Sequence, residues 1–297
     1  MTKALVLGGG GPVGIAWESG LIAGLARAGV NLAKADFILG TSAGSFVGAR
    51  LALGADPKTL VDPILTETAK APSTQSPSSL NTTPPDLTAL VKLMAEAQMG
   101  TRDPLEVRRD LGAFALAAKT PDEATFIASF GRAFSSLADD VWPERGFACT
   151  AVDVLTGEFQ LWTQESGIGV TRAVASSCSV PGVYPPVTLK GRRYMDGGMR
   201  SGTCADLAVG HELVVVIQVR TGPTSGAMAQ ANAARFAAEL DVLRGGGAQV
   251  VVVSPDAASQ SAMGVNLMDF RNRAAAARAG LAQGAGDAQA LQAVWSA

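Results

Sequence analysis

Two apolar runs near the start of the chain, Lys3–Leu7 and Phe37–Leu39, each end in small residues and pass at once into a helical pattern. The first enters Gly8-Gly9-Gly10-Gly11 and then a segment carrying Ile15, Trp17, Leu21, Ile22 and Leu25 at mostly helical spacing, closed by Gly29. The second enters Gly40-Thr41-Ser42-Ala43-Gly44 and then a helix to about Leu53, closed by Gly54. Strand, tight turn and helix, twice over, opens a parallel α/β sheet, because a crossover helix is what brings the chain back for a second strand in the same direction.

The rest of the chain extends this pattern. Strands are expected at 147–152 and 158–162, joined near Thr156-Gly157, and at 187–189 and 192–195 around Lys190-Gly191. Leu213–Ile217 and Gln249–Val253 are continuous apolar runs, the composition of strands covered on both faces. An Ala-rich helix is expected between them and another over about 267–283, after a short helix near 170–177. Pro72, Pro77, Pro84 and Pro85 among Ser, Thr, Gln and Asn mark 71–85 as a loop. Residues 86–99 follow as an amphipathic helix with Leu87, Leu90, Val91 and Met94 on one face. Thr120-Pro121-Asp122-Glu123 predicts a helix start, with the helix running towards Leu137. With 297 residues, no internal repeat and no legible boundary, the expectation is one domain over 1–297 with a helical cap inserted at about 55–140.

Composition narrows the classes of function. Net charge is −2, which argues against nucleic acid as a partner. No apolar stretch reaches the ~20 residues of a membrane helix. The N-terminus has the pattern of a first strand rather than a signal peptide, so a cytoplasmic protein is expected. Cys149, Cys178 and Cys204 are scattered, with neither a disulfide framework nor metal-ligand spacing. They are expected to be buried, and no metal or cofactor is called for.

Three places carry candidate chemistry. Gly8–Gly14 can aim several backbone N–H groups at one point, with the positive end of a helix dipole behind them, which suits an oxyanion or a phosphate. Gly9-x-Gly11-x-x-Gly14 also fits the dinucleotide fingerprint, keeping a nucleotide-binding oxidoreductase open as an alternative. That fingerprint expects an acidic residue at the end of the second strand, whereas Asp36 precedes the strand and Ser42 follows it. Ser42 is the second place: a G-x-S-x-G serine on a strand-to-helix turn has the context of a nucleophile, although such a serine also serves as a plain helix cap. Asp196 is the third, in Tyr194-Met195-Asp196-Gly197-Gly198. Asp-Gly is common in turns. An activated serine nevertheless needs a base, and His211, the one histidine, precedes its strand and so lies at the amino end of the sheet, away from Ser42.

These three places, in this order, resemble the patatin-like phospholipase family, whose motifs are a Gly-rich loop after the first strand, G-x-S-x-G, and D-G-G or D-G-A. Ser176-Ser177-Cys178-Ser179-Val180-Pro181-Gly182 with Tyr184-Pro185-Pro186 is similar to the family's stretch before the aspartate. Thr150-Ala151-Val152-Asp153 with Thr156-Gly157-Glu158 is similar to its central hairpin. The resemblance implies a three-layer α/β/α fold and a hydrolase that cleaves acyl esters of lipids. It also implies Ser42 as nucleophile, Asp196 as base and the amides of Gly9, Gly10 and Gly11 as oxyanion hole. Transient contact with a membrane surface would come with such a substrate, and residues 71–99 would be candidates for a lid. Val13 stands where the family usually has Arg or Lys, which opens a further alternative, a catalytically weak member that binds lipid or a partner. Arg200 is a candidate for supplying the missing charge.

Overall fold

The computed structural model describes residues 1–67, 88–131, 133–134, 140–219 and 226–295. Among the described residues eight strands form one mixed sheet. In chain order they are β1 (Lys3–Leu7), β2 (Phe37–Gly40), β3 (Gly146–Asp153), β4 (Phe159–Trp162), β5 (Val187–Leu189), β6 (Arg192–Asp196), β7 (Leu213–Ile217) and β8 (Gln249–Val253). The described helices are α1 (Gly11–Arg27), α2 (Ala43–Ala52), α3 (Asp62–Leu65), α4 (Thr88–Met99), α5 (Pro104–Ala117), α6 (Glu123–Gly131), α7 (Val170–Ser177), α8 (Gly226–Gly245), α9 (Ala257–Met263) and α10 (Arg273–Trp295). The sheet is mostly parallel: β3, β2, β1, β7 and β8 all run one way, β4 and β6 pair antiparallel with β3, and β5 pairs antiparallel with β6.

β3 is the strand on which the site is built. Cys149 stands opposite both Gly40 and Trp162, and Ala151 opposite both Gln160 and Asp196. A strand residue has one partner on each edge, so β4 occupies one edge of β3 while β2 and β6 share the other. They enter that edge from opposite ends. β2 stops at Gly40 opposite Cys149, and β6 stops at Asp196 opposite Ala151. The chain that leaves β2, carrying Ser42, therefore emerges beside the end of β6, carrying Asp196. The β5–β6 hairpin that delivers Asp196 turns at Lys190 and Gly191, both with positive φ, the backbone a tight right-twisted hairpin requires.

β1 and β7 are almost wholly buried, as their composition predicts. β8 is not: it is the last strand of the sheet, and Gln249 and Val252 are exposed, so an apolar run here marks an edge strand with one covered side rather than a strand covered on both faces. α1 and α10 pack backbone to backbone. A side chain at Gly20, Gly24, Gly280 or Gly284 would put its Cβ within 2.2–2.3 Å of a carbonyl oxygen of the facing helix. This pairing matters to the site, because α1 begins in the Gly-rich loop and is held from behind by α10.

Between α2 and β3 the described chain is helical, from α3 to α6. α5 has no counterpart among the expected elements. α6 begins at Glu123, two residues after the expected first helical residue Pro121, because Asp122 takes the capping place and accepts the Thr125 N–H at 2.8 Å. It ends at Gly131, short of Leu137. The loop expected at 71–85 and the first two residues of the helix expected at 86–99 lie outside the described residues. α10 starts at Arg273, not near 267, since Asp269 caps a separate short turn at 270–272. Alanine-rich sequence gives helix propensity without a periodic edge, which is why it conceals both this boundary and α9. Among the described residues no helix is long and apolar enough to cross a membrane.

Candidate active site

Ser42 sits between β2 and α2 with φ 51° and ψ −117°, a backbone conformation that L-residues avoid and that costs of order 1–3 kcal/mol. Its surroundings over-determine it. The Ser42 N–H donates to Ser177 Oγ at 3.0 Å. Its carbonyl accepts from Ser45 Oγ at 2.6 Å and from the Cys178 thiol at 3.1 Å. The turn can be this sharp only because Gly44 presses on β1: a Cβ there would stand 2.1 Å from the Leu7 carbonyl oxygen. The Thr41 hydroxyl ties the turn to β3 through Thr150 Oγ1 at 2.9 Å.

Asp196 is 2 % exposed. Its backbone N–H donates to the Ser179 carbonyl at 2.9 Å, and its Oδ1 accepts from the Gly198 N–H at 2.7 Å. Oδ2 makes no formed hydrogen bond. Burial raises the Asp196 carboxyl to about 7, opposed by the nearby Ser42 hydroxyl and the Gly198 amide, both of which favour the charged form. The Ser42 hydroxyl is thus near enough to act on the carboxylate, while the contact falls short of a well-aligned hydrogen bond at rest. A carboxyl that titrates near neutrality and holds one open oxygen is suited to accept a proton.

The Gly-rich loop lies against the same serine. A Cβ on Gly9 would be 3.3 Å from Ser42 Cβ. The three glycines expected to hold an oxyanion are not equivalent, however. The Gly9 N–H already donates to the Gly202 carbonyl at 2.7 Å, so this amide is used in joining the loop to the segment after Asp196. Among the described residues the amides of Gly10 and Gly11, at the start of α1, have no acceptor, and Ala43 at the start of α2 is in the same position. Beneath the loop, Glu18 of α1 is wholly buried beside the Gly8 backbone. Burial pushes its carboxyl well above the ordinary range, opposed by the Gly8 backbone.

The other singled-out residues fall away from the chemistry. His211 stacks on Phe37, ring centroids 5.2 Å apart, and its Nδ1 meets the Ala208 carbonyl at 2.9 Å. Phe37 begins β2 and Ser42 follows its end, so the histidine is at the opposite end of the strand. Cys149, Cys178 and Cys204 are buried and unpaired, and burial raises all three thiols. Cys178 nonetheless has a part that composition does not signal: with Ser177 it braces the Ser42 turn. Val13 is wholly buried, and its N–H donates to the Leu267 carbonyl at 3.1 Å. Arg200 borders the site but is held by Asp206 through two hydrogen bonds, 3.0 and 2.6 Å, and lies over the Phe159 ring. Among the described residues no cluster of His, Cys, Asp or Glu could hold a metal ion.

Two cavities open at Ser42. The wider, about 910 Å³, is lined by Gly9, Gly10, Gly11, Ser42 and Asp196 together with Arg200, Gln230, Asn232, Arg235 and Glu239. The narrower, about 210 Å³, runs from Gly11 and Ser42 between phenylalanines. The larger cavity sets several polar side chains among apolar ones; the smaller is lined mainly by apolar side chains.

A turn serine and unpaired amides at the carboxyl ends of parallel strands thus stand beside a buried carboxyl that ends the antiparallel strand β6. Residues 5–209 match the family described as patatin-like phospholipase, and this chain belongs to that family. Among solved structures the chain is similar to VipD from Legionella pneumophila, with 15% identity and a TM-score of 0.50, over 97% of this chain and 67% of that one. It is also similar to the type III effector protein ExoU, with 16% identity and a TM-score of 0.41, over 97% of this chain and 53% of that one. At such identity the likeness to VipD concerns the fold, a mostly parallel sheet flanked by helices. No curated protein sequence matches.

Proposed function

We propose that this protein hydrolyses carboxylic acyl esters of lipids, with Ser42 as nucleophile and Asp196 as its general base. One observation carries the reading: Ser42 and Asp196, far apart in sequence, line one cavity, and the carboxyl there is raised to about 7 with one oxygen left without a hydrogen-bond partner. Membership of a family of phospholipases supports the substrate class.

Ser42 Oγ attacks the ester carbonyl carbon as its proton passes to Asp196 Oδ2. The carbonyl oxygen becomes an oxyanion and is met by the Gly10 and Gly11 amides; one such donor is typically worth ~3–4 kcal/mol of barrier. Collapse expels the alcohol, which takes the proton from Asp196 and leaves the acyl group on Ser42. Water then attacks this acyl-enzyme, Asp196 takes the water's proton, and the same proton returns to Ser42 as the fatty acid departs. No step calls for a metal or cofactor. A lipid substrate would bring the protein to a membrane or micelle surface.

A fluorophosphonate probe with an ester-hydrolysis assay tests this. The probe is expected to label Ser42 in the folded protein, Ser42→Ala and Asp196→Asn to lose turnover, and His211→Ala to keep it. Turnover retained by Ser42→Ala refutes the assignment. Failure of the probe to label folded protein favours a binding role over catalysis.

A further inference from the structure

We infer that the acyl chain of the substrate enters the narrower, phenylalanine-lined cavity, and that this cavity limits the chain to about seven carbons beyond the carbonyl, taking a methylene to fill about the ~30 Å³ of a water molecule. The inference rests on the hydrolase reading above and adds to it which part of the ester goes where and how long it is.

The geometry points to it in three ways. First, the two cavities share Gly11 and Ser42, so an ester carbonyl held at the serine has one substituent directed into each. Second, their linings differ in what they can offer. The wider cavity presents Gln230 and Asn232, partners for an alcohol or headgroup. In the narrower one, Phe46, Phe126, Phe130 and Phe270 form much of the wall, and two of its polar side chains are already engaged. Ser129 Oγ donates to the Phe126 carbonyl at 2.6 Å, and Arg273 pairs with Glu67 at 2.9 Å. A polar alcohol placed there would find few partners to replace its water, whereas each methylene placed there leaves water for an apolar surface. Third, the wall is not free to yield. Phe126 stacks on Tyr184 with centroids 4.7 Å apart and meets Phe130 edge-on at 5.1 Å, and Phe46 packs against Phe130 at 6.0 Å. Interlocked rings hold a fixed volume, because opening it further breaks packing on the core side.

The expected signature is a break in a chain-length series. With nitrophenyl esters from butyrate to laurate, kcat/KM rises about fourfold per methylene, the ~0.8 kcal/mol of one buried CH₂. It then stops rising near octanoate. Phe130→Ala moves the break to longer chains, and Ser129→Leu, which fills the same space, moves it to shorter ones; circular dichroism melts verify that both are folded. Binding of the matching methyl esters to Ser42→Ala, followed by calorimetry, reads the same cavity without chemistry. A rise that continues through laurate, or a break that neither variant shifts, overturns the inference and leaves the hydrolase reading standing. A break in methyl-ester binding without hydrolysis of any ester by the native protein sustains the cavity assignment and removes the hydrolase reading.

Discussion

Asp196→Asn should make the protein more stable as well as inactive, and the gain should depend on pH in a way that nothing but the buried carboxyl can produce. In the folded chain burial raises this carboxyl from 3.8 to about 7. The folded state therefore binds the Asp196 proton more tightly than the unfolded state, and the stability this represents is fully present below about pH 4 and is lost as pH rises through about 7. About three pH units at ~1.4 kcal/mol each amount to about 4 kcal/mol withheld from the native state at pH 8. Asparagine keeps the shape and the acceptor for the Gly198 amide, carries no charge to desolvate, and can donate to the Ser42 hydroxyl oxygen. Asp196→Asn is thus expected to exceed the native protein by about 4 kcal/mol at pH 8 and to match it near pH 4. At ~2.1 cal/mol/K per residue the gain corresponds to roughly 6 °C in Tm. Urea unfolding of both proteins across this range, followed by circular dichroism, measures the difference directly. A difference that stays flat within ~1 kcal/mol over the whole range refutes the claim that Asp196 is held in the fold as a desolvated, near-neutral base. On the proposed mechanism the same carboxyl is the general base, so kcat/KM should fall tenfold per pH unit below about 7 as it becomes protonated.

Two further outcomes follow from the packing. Ser177→Ala strands the buried Ser42 N–H without its acceptor, and should cost ~1–3 kcal/mol in urea unfolding with a fall in kcat rather than a rise in KM. Gly24→Val forces a Cβ to within 2.3 Å of the Leu281 carbonyl oxygen and pushes α10 off α1; a loss above ~3 kcal/mol is expected, while an unchanged melting temperature would contradict the backbone contact.

How much of the site is legible without the fold is best judged residue by residue. The Ser42 turn, the Gly-rich loop and Asp196 can be read because each needs small residues where the backbone passes close, and glycine leaves that mark in a linear sequence. His211 can be set aside from its position before β7 alone. That the Gly9 amide is already occupied cannot be read, because its acceptor, Gly202, is nearly two hundred residues away. Ser177 and Cys178 carry no sign that they brace the elbow, since a hydroxyl and a thiol in a small-residue run look the same wherever they point. β8 has the composition of a covered strand and lies at an edge, and the start of α10 is hidden in alanine.

Local chemistry by itself determined where the strands end, which turns are tight, and that a serine, a carboxylate and a row of glycines stand at those ends. Such features depend on neighbours a few positions along the chain. Tertiary structure alone decided that β2 and β6 approach each other along one edge of β3, that Asp196 is buried until its acidity nears neutrality, and that Ser42 opens both on a large cavity of mixed lining and on a smaller, mainly apolar one. Those properties arise from surfaces brought together across most of the chain, and desolvation and proximity come into being only when the sheet closes.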